Sequence, residues 1–224
     1  DIRTLRMDRD TTKHKGSHDT ILKQFRAGKA DLLIGTQMIA KGLDFPLVTL
    51  SAVVGADSSL HIPDYRSTES LFQVVTQVVG RSGRGELPGL ALIQTYYPTH
   101  PVMKACLNDD FKGFIKAELE DRKLCNYPPY SKISKLVFTS MDRMAASKAA
   151  DNFYRFLQTA AAKEGCIYKP MACGYAKIKN QFRFQIIIKS KDTRRLSHIL
   201  KNHPVKIPAK VRLLIDIGAT STFS

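Results

Sequence analysis

Two arginines lie three positions apart in a glycine-rich stretch, residues 77–85, which reads Gln-Val-Val-Gly-Arg-Ser-Gly-Arg-Gly. The planar guanidinium of arginine makes bidentate contacts with phosphoryl groups, and glycine lets the backbone approach a ligand closely. Arg81 and Arg84 are therefore suited to the chemistry of an arginine finger, which stabilises a phosphoryl group during transfer. The chain contains no Gly-x-x-x-x-Gly-Lys-Ser/Thr loop and no Asp-Glu-x-Asp or Asp-Glu-x-His box, so no element for holding phosphates and Mg²⁺ accompanies them. The sequence predicts the half of a nucleotide motor that completes the site.

The composition of the 224 residues is typical of a soluble intracellular protein with one or two domains. We expect no membrane span, because no run of about 18 apolar residues occurs. The N-terminus resembles neither a signal nor a transit peptide, and we expect the chain to start within a longer protein. The four cysteines form no Cys-x-x-Cys pair, so we expect reduced thiols and no metal site in this chain.

Charge divides the chain into two halves. Residues 1–121 hold 15 Lys/Arg and 15 Asp/Glu, whereas residues 122–224 hold 20 Lys/Arg and 5 Asp/Glu and so carry the whole net charge of +15. This asymmetry predicts two domains and a polyanion near the second one. A basic face that is merely solvated is the alternative interpretation.

The first half alternates between short apolar strands and helices, which predicts a parallel sheet flanked by helices. Only about four strands are visible, so we expect further strands to precede Asp1. Chemistry in such sheets lies beyond the carboxyl ends of the strands, where Thr36 and the turn at 80–85 would fall. The predicted strands are residues 2–7, 31–35, 48–54 and 89–95, and the predicted helices are residues 17–27 and 67–79.

The second half has a different order of elements. Residues 109–125 are predicted to be helical, and the diproline in Tyr127-Pro128-Pro129-Tyr130 predicts a rigid, extended linker. We therefore place domains at 1–108 and 131–224, joined by a linker at 109–130. The second domain reads β-α-β-β-α-β, the ferredoxin-like arrangement of an antiparallel sheet with helices on one face. Its open sheet face, lined by lysine and arginine, is predicted to lie against phosphates; Lys177, Lys179, Arg183 and Lys189, on or beside the central hairpin, are the predicted DNA contacts.

Several motifs carry a resemblance to a known family. Residues 35–46, Gly-Thr-Gln-Met-Ile-Ala-Lys-Gly-Leu-Asp-Phe-Pro, resemble motif V of superfamily-2 helicases, and residues 77–85 resemble motif VI. The block at 63–66, Pro-Asp-Tyr-Arg, and the diproline segment at 127–130 are similar to the bacterial primosomal replication-restart helicases, the PriA family. The matches run in the family order over nearly the entire chain.

The resemblance implies a C-terminal fragment comprising part of a RecA-like helicase lobe 2 followed by the C-terminal domain. A first lobe with Walker A and B motifs and a zinc-binding insertion would precede it, so zinc is expected in the full-length protein but not here. The family unwinds DNA 3′-to-5′ at stalled forks, using ATP and Mg²⁺ bound between the lobes. Forked or single-stranded DNA, the single-stranded-DNA-binding protein and primosome proteins are the implied partners, and the implied location is the bacterial cytoplasm at the nucleoid. We expect this fragment alone to be inactive as an ATPase.

The resemblance also implies roles for individual residues. Arg84 would be the arginine finger, with Arg81 a second phosphate contact or a strut. Gln77 would bridge the nucleotide and the lobe interface. Gly42 and Asp44 would sense the nucleotide state. Thr36 and Gln37 would contact the DNA backbone, although Thr36 could equally cap a helix that follows a strand.

Two other functions remain open from the residues alone. A non-enzymatic nucleic-acid-binding module would account for the basic second half but leaves residues 77–85 unexplained. Lobe 2 of another superfamily-2 DNA translocase would account for motifs V and VI but not for the block at 63–66.

Overall fold

The computed structural model of the chain describes residues 1–8, 10–12, 16–36, 39, 45–80 and 88–223. By internal packing the chain divides into two compact units. Unit 1 comprises residues 1–59 and 68–111, and unit 2 comprises residues 60–67 and 112–224. The eight residues 60–67 therefore fold with unit 2, although unit 1 precedes and follows them in sequence.

Unit 1 contains two parallel strand pairs among its described residues. Strand β1 (Thr4–Met7) leads through helix α1 (Ser17–Arg26) to β2 (Leu32–Gly35), which pairs with β1 in parallel. Strand β3 (Leu50–Val53) leads through a 3₁₀ turn (Ala56–Ser59) and helix α2 (Ser67–Val79) to β4 (Leu90–Ile93), its parallel partner. The predicted alternation of strands and helices with parallel pairing is confirmed.

Two further helices follow β4. Helix α3 (Pro101–Leu107), which the sequence analysis did not predict, begins with the His100 side chain accepting a hydrogen bond from the Val102 amide. Helix α4 (Phe111–Leu124) occupies most of the predicted helical stretch at 109–125. None of the helices among the described residues is both long and apolar enough to cross a membrane.

Unit 2 has the predicted ferredoxin-like order. Strand β5 (Lys132–Ser140) is followed by helix α5 (Arg143–Ala160), strands β6 (Cys166–Ile167), β7 (Met171–Ile178) and β8 (Gln181–Ser190), helix α6 (Arg194–Lys201) and strand β9 (Arg212–Ile217). Strand β5 lies between β8 and β9, and β6 and β7 both pair with β8 at the far edge, all antiparallel. This order is what the β-α-β-β-α-β pattern predicts.

One face of this sheet packs against helices α5 and α6. Leu136 and Phe138 from β5 and Ile186 and Ile188 from β8 are fully buried in one cluster with α5 and α6 side chains such as Phe153. The cluster forms because alternate residues of a strand share a face. Helix α5 begins at Arg143, because the Asp142 carboxylate accepts hydrogen bonds from the Met144 and Ala145 amides at 2.9 and 3.1 Å.

The opposite sheet face is not open, contrary to the expectation from its polar residues. Lys135, Gln185 and Lys189 are 4%, 3% and 5% exposed, respectively. Residues 60–67 and the C-terminal residues cover this face within unit 2, for example where Gln185 Nε2 donates to the Thr222 carbonyl at 3.1 Å. Charge alone could not reveal this, because the covering residues are distant in sequence.

The diproline segment also differs from the extended linker that its composition predicts. The Tyr130 amide donates to the Tyr127 carbonyl at 2.9 Å, so residues 127–130 turn rather than extend. The reason is packing, because the Tyr127 ring is held between other side chains of unit 2.

Candidate functional site

The predicted motif V begins at the carboxyl end of β2. Gly35 ends the strand, and a Cβ there would lie 2.3 Å from the Met7 carbonyl oxygen on β1, so the two strands can approach only with glycine at this position. Thr36 follows directly, exposed, and its carbonyl accepts a hydrogen bond from the Ile39 amide at 3.1 Å. The structure therefore places Thr36 at the edge of the sheet where ligands of α/β folds bind. Gln37, Gly42 and Asp44 lie outside the described residues.

Helix α2 carries Gln77 toward its C-terminal end. The helix buries Leu71, Phe72 and Val75 on one face, while Gln77 is partly exposed. The Gly80 amide donates to the Thr76 carbonyl at 3.0 Å as the helix ends. Arg81 and Arg84 follow and lie outside the described residues, so their assignment as phosphate contacts stays a prediction.

Hydrogen bonds within unit 1 hold the Asp57 carboxylate in place. The carboxylate accepts hydrogen bonds from the Thr95 hydroxyl at 2.5 Å and the Tyr96 amide at 2.7 Å, tying the 3₁₀ turn to the segment after β4. The Thr95 hydrogen bond, aided by the backbone donors and opposed by partial burial, lowers the pKa of Asp57. The carboxylate is thus held ionised by its fixed donors.

Three of the predicted DNA contacts lie on the hairpin of β7 and β8. The hairpin turns through Lys179 and Asn180, whose φ values of 47° and 62° fit the tight two-residue turn of a hairpin. Lys177 is exposed with its ammonium 5.0 Å from the Phe182 ring centroid. Arg183 is partly exposed, and its guanidinium reaches the Tyr175 carbonyl at 3.5 Å. The tip of the hairpin therefore presents positive charge that phosphates can reach.

Lys189, the fourth predicted contact, has a different environment. Its ammonium donates to the Cys125 carbonyl at 2.8 Å and lies 3.3 Å from the Tyr127 ring centroid and 5.3 Å from that of Tyr168. Burial lowers the pKa of Lys189. Because the ammonium is turned into unit 2 and only 5% of the residue is exposed, we leave Lys189 out of the surface on which DNA binding is proposed.

An open pocket lies beside Lys189 on the same sheet face, entirely within unit 2. It has a volume of about 290 Å³ and is lined mainly by aromatic and apolar side chains, among them Tyr127, Tyr168, Ile187 and Phe223. The Oε1 atom of Gln185, which also lines it, is buried with no hydrogen-bond partner. Among the residues that the structure describes, no group of three or more His, Cys, Asp or Glu side chains could hold a metal ion.

Sequence reasoning overlooked the importance of Asp64 and Tyr65, although it noted their block. The Asp64 carboxylate binds the C-terminal residues 221–223, and the Tyr65 ring stacks on Tyr127 with centroids 5.0 Å apart. A tyrosine and an aspartate beside a proline, in a stretch without helical or strand periodicity, were the only sequence signal. That signal does not show where their partners lie.

Comparison with known proteins shows two family matches in sequence order. The family described as helicase conserved C-terminal domain matches residues 1–86, and the primosomal protein N C-terminal domain matches residues 123–218. The first match extends past Gly85 and so includes both arginines of the predicted motif VI. A solved structure, the C-terminal domain of the DEAD-box protein Dbp5, aligns with a TM-score of 0.35 at 19% identity, over 54% of this chain and 67% of that one.

Curated relatives carry the name replication restart protein PriA. The relative from Chlamydia muridarum is 42% identical over 224 residues, which are 99% of this chain and 30% of the relative. The relative from Bacillus subtilis is 44% identical over 89% of this chain and 25% of its own length, and the one from Synechocystis is 40% identical over 99% and 27%. The chain thus spans less than a third of the length of these relatives.

Proposed function

Because this chain belongs to the PriA family of replication restart proteins and matches their C-terminal region, we propose that it is the C-terminal part of an ATP-dependent DNA helicase. The helicase would unwind DNA 3′-to-5′ at stalled replication forks and take part in primosome assembly. The observation that carries this proposal is the ordered pair of family matches, with motifs V and VI inside the first.

The nucleotide site would form between unit 1 and a preceding helicase lobe. The chain has no phosphate-holding loop, so its own residues fit a site that another lobe completes. ATP with Mg²⁺ would supply the bond whose cleavage drives strand movement. Arg84 would stabilise charge on the transferred phosphoryl group, Arg81 would add a second contact, and Gln77 would reach the site from the end of α2.

Gly42 and Asp44 would respond to the nucleotide state, and Thr36 and Gln37 would contact the DNA backbone. The exposed position of Thr36 directly after β2 supports its proposed contact with the DNA backbone. Through these residues, a change at the nucleotide would reach the DNA strand.

Unit 2 would bind DNA through its basic surface. The net charge of +15 of residues 122–224 favours phosphates without reading sequence, and the exposed hairpin with Lys177, Lys179 and Arg183 is the proposed contact. The single-stranded-DNA-binding protein and primosome proteins are the proposed protein partners. A zinc site is proposed for the full-length protein outside this chain.

The proposal is tested by comparing the full-length protein with the 224-residue chain. The full-length protein should hydrolyse ATP when forked DNA is added. It should unwind the fork by moving 3′-to-5′ along the single strand on which it loads. The 224-residue chain should show no DNA-stimulated hydrolysis. A full-length protein that binds forks but neither hydrolyses ATP nor separates strands would support a non-enzymatic binding module instead.

A further inference from the structure

Residues 60–67, the docking segment, leave unit 1 and become part of unit 2 before the chain returns to unit 1. The segment begins after the 3₁₀ turn (Ala56–Ser59) and ends where α2 begins, at Ser67. These eight residues fold with a unit whose remaining residues begin more than 40 positions later in sequence. Ordering them costs conformational entropy, so their contacts with that unit must be favourable enough to offset the cost.

Asp64 makes several of these contacts. Its Oδ2 atom accepts hydrogen bonds from the Ser221 hydroxyl at 2.6 Å, the Thr222 amide at 2.8 Å and the Phe223 amide at 3.2 Å. Hydrogen bonds to a carboxylate are stronger than those between neutral groups. One side chain therefore fixes three successive residues of the C-terminal tail.

The tail is held from its other side as well. The Gly174 amide donates to the Phe223 carbonyl at 3.2 Å, and the Phe223 ring packs edge-on against Tyr175 with centroids 5.1 Å apart. A Cβ at Gly174 would lie 2.2 Å from a ring carbon of Phe223, so the ring occupies space that only glycine leaves. The tail thus lies between Asp64 and β7.

Tyr65 extends the docking segment into a column of rings and cations. The Arg122 guanidinium lies 5.1 Å from the Tyr65 ring centroid, the Tyr65 ring is nearly parallel to Tyr127 at 9°, and the Lys189 ammonium lies over Tyr127. The Tyr65 hydroxyl also donates to the Thr220 carbonyl at 3.3 Å. Stacking and cation–π contacts favour this one placement of the ring.

The same aspartate shapes the start of α2. The Arg66 amide donates to Asp64 Oδ1 at 2.9 Å, and the Ser67 amide donates to the Asp64 carbonyl at 3.1 Å. The Ser67 hydroxyl donates to the Ile62 carbonyl at 2.6 Å. Asp64 therefore bonds through its carboxylate to the tail of unit 2 and to the Arg66 amide, and through its carbonyl to Ser67, the first residue of the helix that carries Gln77.

We propose that Asp64 is a positioning residue that couples unit 2 to helix α2 and thereby to Gln77 and the arginines that follow it. The proposal rests on the nucleotide site proposed above. A helix is a stiff connection, and the ten residue-to-residue steps from Ser67 to Gln77 span about 15 Å at 1.5 Å each. DNA bound to unit 2 would thus act on catalysis through the docking segment, and misplacement of about 1 Å at a catalytic group can cost roughly 100-fold in rate.

The test is Asp64→Asn in the full-length protein, with ATP hydrolysis measured over a range of ATP concentrations, with and without forked DNA. Asparagine keeps the shape of the side chain but loses its charge and one of its two acceptor oxygens, so it weakens the side-chain bonds to the tail or to the Arg66 amide. The stimulation of kcat by DNA should fall by about fivefold or more, the lower end of coupling between distant sites. The KM for ATP should change less than the stimulation does, because Asp64 is not among the proposed nucleotide contacts.

The matched control is Asp57→Asn, the same chemical change at a carboxylate that accepts hydrogen bonds from Thr95 and Tyr96 within unit 1. It should lower the melting temperature but leave DNA stimulation intact. If Asp64→Asn fails to fold, Gly174→Ala displaces the Phe223 ring from the opposite side and should reduce stimulation in the same way.

The outcomes separate the two proposals. A wild-type protein without DNA-stimulated hydrolysis contradicts the proposed function itself. Suppose instead that DNA stimulates ATP hydrolysis by the wild type and that Arg84→Ala abolishes hydrolysis. If neither Asp64→Asn nor Gly174→Ala then reduces the stimulation, the coupling proposal alone is overturned. Equal loss of stimulation in Asp57→Asn would show that general destabilisation is the cause and would also overturn it.

Discussion

The Lys189 ammonium lies 3.3 Å from the centre of the Tyr127 ring and donates to the Cys125 carbonyl, inside the most basic part of the chain. The ring and the carbonyl offset part of what this buried cation loses in hydration, although burial still lowers the pKa of Lys189. The contacts of the Lys189 ammonium therefore help to stabilise the side-chain packing on the sheet face that the docking segment covers.

Replacing this lysine should affect stability and leave DNA binding unchanged. Lys189→Gln removes the cation from the Tyr127 ring and weakens the donor to Cys125, so the free energy of unfolding should fall by about 1–3 kcal/mol. Urea denaturation of the 224-residue chain measures this. Lys191→Gln, two residues on and exposed, is the control and should change neither property. Weaker DNA binding by Lys189→Gln without any loss of stability would contradict the structural role.

The hairpin lysines and arginine should determine how DNA binding depends on salt. Replacing Lys177, Lys179 and Arg183 with glutamine should reduce the slope of log affinity against log salt by roughly 0.9 for each duplex phosphate that these side chains no longer neutralise, whatever the DNA sequence. Fluorescence anisotropy of the 224-residue chain with duplexes of two sequences measures the slope.

The control for this experiment removes equal charge from exposed lysines elsewhere in unit 2, at Lys148, Lys163 and Lys201. If both triple variants flatten the slope equally, binding depends on net charge and not on the hairpin. If neither does, the basic surface serves an acidic protein partner.

Loss of the proposed arginine finger should abolish turnover while DNA remains bound. In the full-length protein, Arg84→Ala should lower the rate of ATP hydrolysis by about 10³-fold or more, because the proposed finger no longer stabilises the charge that develops on the transferred phosphoryl group. Arg84→Lys should recover little, since an ammonium lacks the bidentate geometry. Affinity for forked DNA, measured in parallel, should stay within about twofold. Near-normal turnover would assign the finger to another residue.

The hold of Asp64 on the tail should weaken in acid. Partial burial opposes ionisation of this carboxyl, but the hydrogen bonds from Ser221 and from the backbone amides outweigh it and lower the pKa of Asp64. A group whose folded-state pKa is lowered stabilises the fold above its unfolded-state pKa and loses that contribution as pH falls through the folded-state pKa.

The free energy of unfolding should therefore differ most between wild type and Asp64→Asn near neutral pH, and the difference should shrink below the ordinary pKa of aspartate. Denaturation at a series of pH values measures this. Asp151→Asn, an exposed carboxylate on α5, controls for the change in net charge. A difference that is constant down to the acid limit would mean that the tail is held without the charge of Asp64.

Local patterns predicted most of the fold. Helix α2 has the predicted bounds, Ser67 to Val79, because its apolar residues recur at helical spacing and Gly80 ends it. The alternation of Phe184, Ile186 and Ile188 is the pattern of a strand with one buried face, and that face of β8 packs on the helices. The position of Asp142 before a stretch with apolar residues at helical spacing is typical of a helix cap, and Asp142 caps α5.

The long-range contacts were beyond this kind of reasoning. Asp64 and Thr222 are 158 positions apart, and neither has a neighbour whose type reveals the other. The predicted domain limits place residues 60–67 in the first domain, because a contiguous stretch is the simplest interpretation of a change in composition. For Lys189, a period-two pattern showed the face of the strand, but not that another segment covers that face.

The path of residues 60–67 determines how such proteins can be recombined. A gene swap between relatives that exchanges only the stretch after residue 111 would pair one parent's tail with the other parent's aspartate and tyrosine, so compatible hybrids must exchange the two stretches together. Likewise, a fragment cut from residue 112 onward would leave the Tyr127 ring and the tail amides facing solvent, and a synthetic octapeptide of sequence Leu-His-Ile-Pro-Asp-Tyr-Arg-Ser supplied separately is the piece that would restore them.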